Sequence, residues 1–184
     1  SDAHFKIECG LLGTYQSKNI TGLLAAIDEL RLQGFSITKE AVFDGLKNVT
    51  ALTGLKGRWQ KLNRNPLTIC DTGHNEAGIT EILNQLAELK FNKLHWVLGM
   101  VKDKDVSKVL KRLPVSAQYY FCQANIPRAM EATTLAQHAK EIGLTGNVVP
   151  DVNEAIHRAT QNAAPEDLIL IGGSTFVVAE IENL

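Results

Sequence analysis

Leu67-Thr68-Ile69-Cys70-Asp71-Thr72-Gly73-His74-Asn75-Glu76-Ala77-Gly78 decides the fold. A short β-rich run ends in an aspartate, and polar turn residues follow. An apolar series of Ile79, Ile82, Leu83, Leu86 and Leu89 then begins. Apolar residues at three- and four-residue intervals mark one face of a helix, so the stretch reads as strand, polar turn, helix. The same unit recurs toward the C-terminus. Leu94 to Leu98 is an apolar strand, and Val106, Val109, Leu110 and Leu113 mark a helix. Tyr119 to Cys122 is a strand, Ala129 to Ile142 a helix, and Val148-Val149 a brief strand. A helix over about Asn153 to Asn162, a wholly apolar strand Leu168 to Ile171 and a last helix Thr175 to Ile181 complete the series. Regular β-α alternation with apolar strands implies a mainly parallel sheet covered on both faces. With right-handed crossovers it becomes a Rossmann-like, doubly wound α/β domain. Upstream, Arg58 to Leu62 is expected to add an antiparallel strand through a turn at Asn63 to Pro66.

Before about residue 50 the pattern changes. Leu23, Leu24, Ile27 and Leu30 sit at helix spacing between Asn19 and Gln33, with Gly34 placed as a C-cap. Thr38 offers the N-cap of a short helix carrying Ala41, Val42 and Leu46. Two short helices and a leading strand bury too little surface to stand alone, so residues 1–50 are expected to be the tail of a larger domain, and residues 51–184 a domain of their own.

Composition narrows the function. The chain has 184 residues, 45% hydrophobic and 21% charged, with a net charge of −1 from 19 basic and 20 acidic side chains. That balance gives no electrostatic case for nucleic acid or an anionic membrane. No apolar run approaches the roughly 20 residues of a membrane span, and no leader-like stretch opens the sequence. Cys9, Cys70 and Cys122 have no Cys-x-x-Cys spacing, so reduced core thiols in a cytoplasmic protein are expected rather than a disulfide framework or a zinc site. No two of the five histidines have metal-ligand spacing. The sequence holds neither a Gly-x-x-x-x-Gly-Lys-[Ser/Thr] phosphate loop nor Gly-x-Gly-x-x-Gly.

Ligands of such sheets sit outside the carboxyl ends of the strands. That points to Asp71–Gly78, Gly99–Asp105, Ala124–Arg128 and Gly172–Thr175. Asp71 is suited to accept from ribose hydroxyls, and His74 and Asn75 stand where free helix N–H groups attract an anion. The same residues are common caps and turn formers. Arg58, between turn-forming residues, is either a phosphate fork or a solvated surface arginine. Ser174 after Gly172-Gly173 can receive a carboxylate or cap the last helix. Lys102 to Asp105 is either a charged first turn or part of a site.

Taken together, Gly13-Thr14-Tyr15-Gln16 to Asn19, Gly57-Arg58, Asp71 to Asn75, Gly99 with Asp103-Lys104-Asp105, and Gly173-Ser174 to Glu180 resemble motifs of the folylpolyglutamate synthase/dihydrofolate synthase family, a branch of the Mur ligase superfamily. The resemblance runs in order over almost the whole chain. Gly73 and Glu76 depart from the alanine and proline of the family's "D-x-A-H-N-P" pattern.

The resemblance implies a C-terminal domain partnered with an ATPase domain that carries the phosphate loop and most magnesium ligands. It implies a reaction in which ATP, with Mg2+, phosphorylates a carboxylate of dihydropteroate or a folate, and the amine of L-glutamate displaces the phosphate. By the same resemblance Asn19 contacts adenine, Arg58 the ATP phosphates and Asp71 the ribose. His74 and Ser174 hold glutamate, with Asn75 and Lys104 beside them, and no metal ligand is assigned on this chain. Only small-molecule partners and a monomer are expected. The other readings are a peptidoglycan-precursor ligase of the same superfamily and a non-catalytic Rossmann-like binding module.

Overall fold

Residues 6–102, 106–182 and 184 are described in the computed structural model. They fall into two units, Ser1–Arg58 and Trp59–Leu184. The first unit carries α1 (Gln16–Leu32), α2 (Lys39–Lys47) and α3 (Val49–Thr53). As the sequence predicts, Gly34 takes a left-handed φ of 96° after α1, and the Thr38 side chain accepts from the Ala41 N–H to start α2. Two expectations need correction. Among the described residues no strand precedes Gln60, because this stretch finds no partner strand, and α3 was not foreseen. The hydrophobic residues buried in this unit are Val42 and Leu46, while Leu23, Leu30, Leu32, Phe35 and Leu52 are exposed.

The second unit contains β1 (Gln60–Arg64), β2 (Leu67–Asp71), α4 (Glu76–Ala87), β3 (Leu94–Leu98) and α5 (Val106–Leu110). It continues with β4 (Gln118–Phe121), α6 (Ala132–Glu141), β5 (Gly146–Val148), α7 (Val152–Asn162), β6 (Leu168–Gly172) and α8 (Thr175–Ala179). The strands form one sheet in the order β1-β2-β6-β3-β4-β5. Only the β1–β2 pair is antiparallel. The chain advances from β2 to β5 and then returns through α7 to place β6 between β2 and β3. Right-handed crossovers require outward and returning helices to lie on opposite faces. The two cores show this. Ile79, Ile82, Val109, Leu110 and Leu135 of α4, α5 and α6 pack on Trp96, Leu98, Tyr119 and Leu170. Val152, Ala155, Val177 and Val178 of α7 and α8 pack on Val97, Tyr120, Ile169 and Ile171. The central strands are therefore buried on both sides, which explains their unbroken apolar sequence.

The antiparallel edge strand spans Gln60–Arg64, shifted two residues toward the C-terminus from the expected Arg58 to Leu62. The hairpin turns at Asn65-Pro66 across a cis bond. The last edge strand is Gly146–Val148 rather than Val148-Val149. Cys70 and Cys122 are buried free thiols. Burial, with the Asp71 carboxylate adding to it, pushes the Cys70 thiol up to about 12. Burial above all pushes Cys122 to about 12 as well. Both stay protonated and unreactive at neutral pH.

At the amino ends of the strands lies a polar cluster inside this core. His95, 1% exposed, has Nε2 3.2 Å from Asp167 Oδ2 and Nδ1 3.2 Å from the Tyr120 hydroxyl. Asn162 donates to that hydroxyl at 3.1 Å. Asp167 also accepts from the Lys93 N–H at 3.0 Å and the Ala164 N–H at 2.9 Å. One proton arrangement satisfies every contact: Nε2–H donates to Asp167, and Tyr120 donates to Nδ1. That arrangement is a neutral imidazole. Burial holds the His95 pKa below its ordinary 6.5 against the opposing pull of Asp167. Burial alone would raise Asp167, but the Ala164 N–H, His95 and the Lys93 N–H together bring it below its ordinary value.

The sign for His95 follows from linkage. The unfolded chain takes up a proton below pH 6.5 that the folded chain resists, so this contribution is full above that pH and erodes as pH falls. Urea unfolding between about pH 8 and about pH 5 should show stability declining toward acid, and His95→Gln should flatten that decline. An unchanged slope in the variant would contradict the neutral assignment.

Candidate functional site

The register across the sheet gathers the site. Asp71 at the end of β2 pairs with Gly172 of β6, Gly172 with Leu98 of β3, and Leu98 with Phe121 of β4. Four strand ends therefore stand in one row. The loop leaving β2 leads to α4 on one face, and the loop leaving β6 leads to α8 on the other. Opposed exits open the crevice at which sheets of this kind bind ligands.

Asp71 stands at that crevice, 3% exposed. Its Oδ2 accepts from the Trp59 N–H at 2.8 Å and its Oδ1 from the Gly73 N–H at 2.8 Å. One carboxylate thus ties the approach to β1, the end of β2 and the turn toward α4. Trp59 is itself buried and held at a φ of 49°, a left-handed conformation costly for a side-chain-bearing residue.

Gly172 and Gly173 let the strand ends approach one another. A Cβ on Gly172 would lie 2.4 Å from the Asp71 carbonyl oxygen. A Cβ on Gly173, whose φ is 92°, would lie 2.7 Å from the Gly99 carbonyl oxygen. Ser174 follows, 3% exposed, and its Oγ accepts from the Phe176 N–H at 3.2 Å. Ser174 is therefore the N-cap of α8, and its hydroxyl proton remains available to an acceptor.

Across the crevice, Asn75 caps α4 by accepting from the Gly78 N–H at 2.8 Å. His74 is exposed beside it, with Nδ1 3.0 Å from the Thr72 carbonyl oxygen. A carbonyl only accepts, so Nδ1 carries the proton. In the neutral ring Nε2 is then an acceptor for an amine N–H, and in the charged ring it is a donor to a carboxylate. Glu76 receives both Nε and Nη2 of Arg112, at 2.8 and 2.7 Å. The glutamate that replaces the family's proline thus fastens the start of α4 to the segment after α5, although the pair is half exposed and contributes little to stability.

The remaining sequence-predicted residues belong to the first unit or lie outside the described residues. Asn19 is exposed on α1 of the first unit, donating to Gln16 Oε1 at 2.9 Å. Arg58 is the exposed last residue of that unit. Lys104, with Asp103 and Asp105, lies outside the described residues. Asp71, His74, Asn75 and Ser174 belong to loops leaving neighbouring strands of one sheet, as expected for one site.

Sequence reading pointed to the Ala124–Arg128 loop but singled out no residue in it. The structure shows it as part of the same rim. Val101 and Ala129 form an isolated antiparallel bridge, Lys102 N–H donates to the Arg128 carbonyl at 2.9 Å, and Met130 N–H donates to the Met100 carbonyl at 2.9 Å. The Glu180 carboxylate accepts from the Asn125 N–H. The Arg128 guanidinium lies over the Phe176 ring, 5.4 Å from its centre. An arginine straight after a proline in a strand-end loop was the available signal. Among the described residues no group of three or more His, Cys, Asp or Glu is arranged to hold a metal ion.

A parallel sheet with buried polar side chains at a switch point defines a Rossmann-like ligand-binding domain. Residues 57–175 match the model of the Mur ligase, glutamate ligase domain, and the chain belongs to that family. Its relatives include folylpolyglutamate and dihydrofolate synthases. A probable bifunctional folylpolyglutamate synthase/dihydropteroate synthase of Haloferax volcanii is 31% identical over 92% of this chain and 20% of its own length. The folylpolyglutamate synthase of Mycobacterium tuberculosis, solved with ADP and AMPPCP, superposes with a TM-score of 0.77 at 29% identity, over 94% of this chain and 40% of its own. A bifunctional folylpolyglutamate synthase/dihydrofolate synthase solved with Mn, AMPPNP and L-glutamate gives 0.69 at 29% identity, over 84% and 37%. The chain thus spans between a fifth and two fifths of these proteins.

Two substitutions test the joint. Asp71→Asn places an amide donor against one of two backbone donors and should cost about 1–3 kcal/mol of stability. Gly172→Ala should cost about 1–3 kcal/mol by crowding the β2–β6 contact. Urea unfolding of each variant checks both, and wild-type midpoints would refute the geometry.

Proposed function

We propose that the chain is the C-terminal part of an ATP-dependent amide ligase that joins L-glutamate to dihydropteroate, to folates, or to both. In this reading residues 1–50 close a central ATPase domain and residues 51–184 form the glutamate-ligase domain. The enzyme works as a cytoplasmic monomer on small-molecule substrates. The observation that carries the proposal is the row Asp71–Gly172–Leu98, which sets a buried acceptor, a hydroxyl and a histidine around one crevice in a domain of the glutamate ligase family.

ATP with Mg2+ supplies a phosphoryl group that converts the pterin substrate's carboxylate into an acyl phosphate. The glutamate amine attacks its carbonyl carbon, the tetrahedral intermediate collapses with loss of phosphate, and an amide remains. Positioning accounts for much of the rate advantage in such a transfer. Asp71 takes the ribose hydroxyls, as the family resemblance implies. His74 and Ser174 hold the incoming glutamate, Ser174 by donating its hydroxyl proton to a carboxylate. Asn75 fixes the α4 terminus beside them. Asn19, Arg58 and Lys104 keep the adenine, phosphate and glutamate roles that the family resemblance gives them.

The test is phosphate release by the complete gene product with ATP, magnesium and L-glutamate, offering dihydropteroate, tetrahydrofolate and a UDP-muramoyl acceptor in turn. Release with a pterin acceptor is expected, and release only with the muramoyl acceptor would refute the folate reading. In the same assay Asp71→Asn should raise the KM for ATP more than that for glutamate. Equal effects on both would remove Asp71 from the ribose.

A further inference from the structure

Arg128 is placed unlike the other described arginines with a known partner. Arg31, Arg112 and Arg158 each pair with a carboxylate. Arg128 is exposed, and its recorded side-chain contact is with an aromatic face, the Phe176 ring 5.4 Å away. An aromatic ring takes none of the guanidinium's N–H donors, and such a fork binds a carboxylate in two parallel hydrogen bonds.

Its position is fixed from both sides. The backbone of its loop is held by the Lys102 N–H on the Arg128 carbonyl at 2.9 Å and by the Glu180 carboxylate on the Asn125 N–H. The aromatic ring beneath it belongs to the residue whose own N–H is bound to Ser174 Oγ at 3.2 Å. Arg128 therefore stands on the rim of the crevice beside Ser174, with a cationic fork that pairs with no carboxylate among the described residues. Lys102, exposed and bonded to it through the backbone, adds positive charge.

We propose that Arg128 is a specificity-determining residue that binds one carboxylate of the incoming amino acid, with Phe176 holding the guanidinium flat for it. The proposal rests on the glutamate-ligase reading above. An amino acid with two carboxylates needs more receivers than the single Ser174 hydroxyl, and Arg128 joins His74 and Lys104 in that task. A cationic fork also rejects the corresponding amide, because an amide fills the same space without the charge. The α- and side-chain carboxylates share this chemistry, and the test separates them.

The complete gene product would be assayed for phosphate release with L-glutamate, L-glutamine and the α-amide of glutamate as amines, in wild type, Arg128→Ala and Arg128→Lys. Arg128→Ala is expected to raise the KM for glutamate about tenfold or more, with the KM for ATP unchanged. It should also erase the preference for glutamate over one amide, identifying the carboxylate that Arg128 binds: glutamine if the side chain, the α-amide if the α-carboxylate. Arg128→Lys keeps the charge without the fork and should recover part of the loss. Unchanged discrimination against both amides in Arg128→Ala, or a matching rise in the KM for ATP, would overturn the proposal while leaving the ligase reading intact. A wild-type enzyme that releases no phosphate with glutamate would overturn the ligase reading and this proposal together.

Discussion

The Asp71 carboxylate is the interaction on which the site's geometry depends. It is almost wholly buried and accepts from two backbone N–H groups, one before β1 and one after β2. These bonds fix where the antiparallel edge strand begins and how the chain turns toward α4. On its other side β2 lies against β6, and the absence of a side chain at Gly172 permits the close approach. Parallel registry carries this alignment to Leu98 and Phe121. Loops from four strands consequently begin at one level, and short polar residues in those loops meet without long segments to order.

The two edges of the sheet divide the work. At the amino edge, His95, Tyr120, Asn162 and Asp167 satisfy one another and the neighbouring backbone. A buried network of this kind fixes strand ends when complete and costs stability when broken. At the carboxyl edge, polar groups keep unused capacity: the Ser174 hydroxyl proton, His74 Nε2 and the Arg128 fork. Satisfied polar groups on one side and groups with spare valence on the other are what a rigid scaffold for binding requires.

Much of the fold was legible because its strands are buried on both faces. Leu168 to Ile171 is a continuous apolar run and Leu94 to Leu98 is broken only by His95, as the centre of a covered sheet requires. Edge strands were less legible: Gly146–Val148 is exposed throughout and has little periodicity to show. The first unit was read for its two main helices but credited with a strand it lacks among the described residues. At the carboxyl edge, Asp71, His74, Asn75 and Ser174 were singled out because strand ends point to them. The backbone clamp on Asp71 was hidden, since it joins residues 12 apart through an unusual Trp59 conformation. The His95–Asp167 contact was hidden by a separation of 72 residues. Arg128 was passed over because its partner is an aromatic face on a distant helix, which leaves no local pattern.

The most direct test of the carboxyl-edge site is hydrogen–deuterium exchange on the complete gene product, with and without magnesium, a non-hydrolysable ATP analogue and L-glutamate. Ligands bound at this crevice should slow exchange in residues 71–78, 124–130 and 172–176, while residues 92–95 and 164–168 at the amino edge stay unchanged. Protection confined to the amino edge, or absent from all three carboxyl-edge loops, would contradict the assignment.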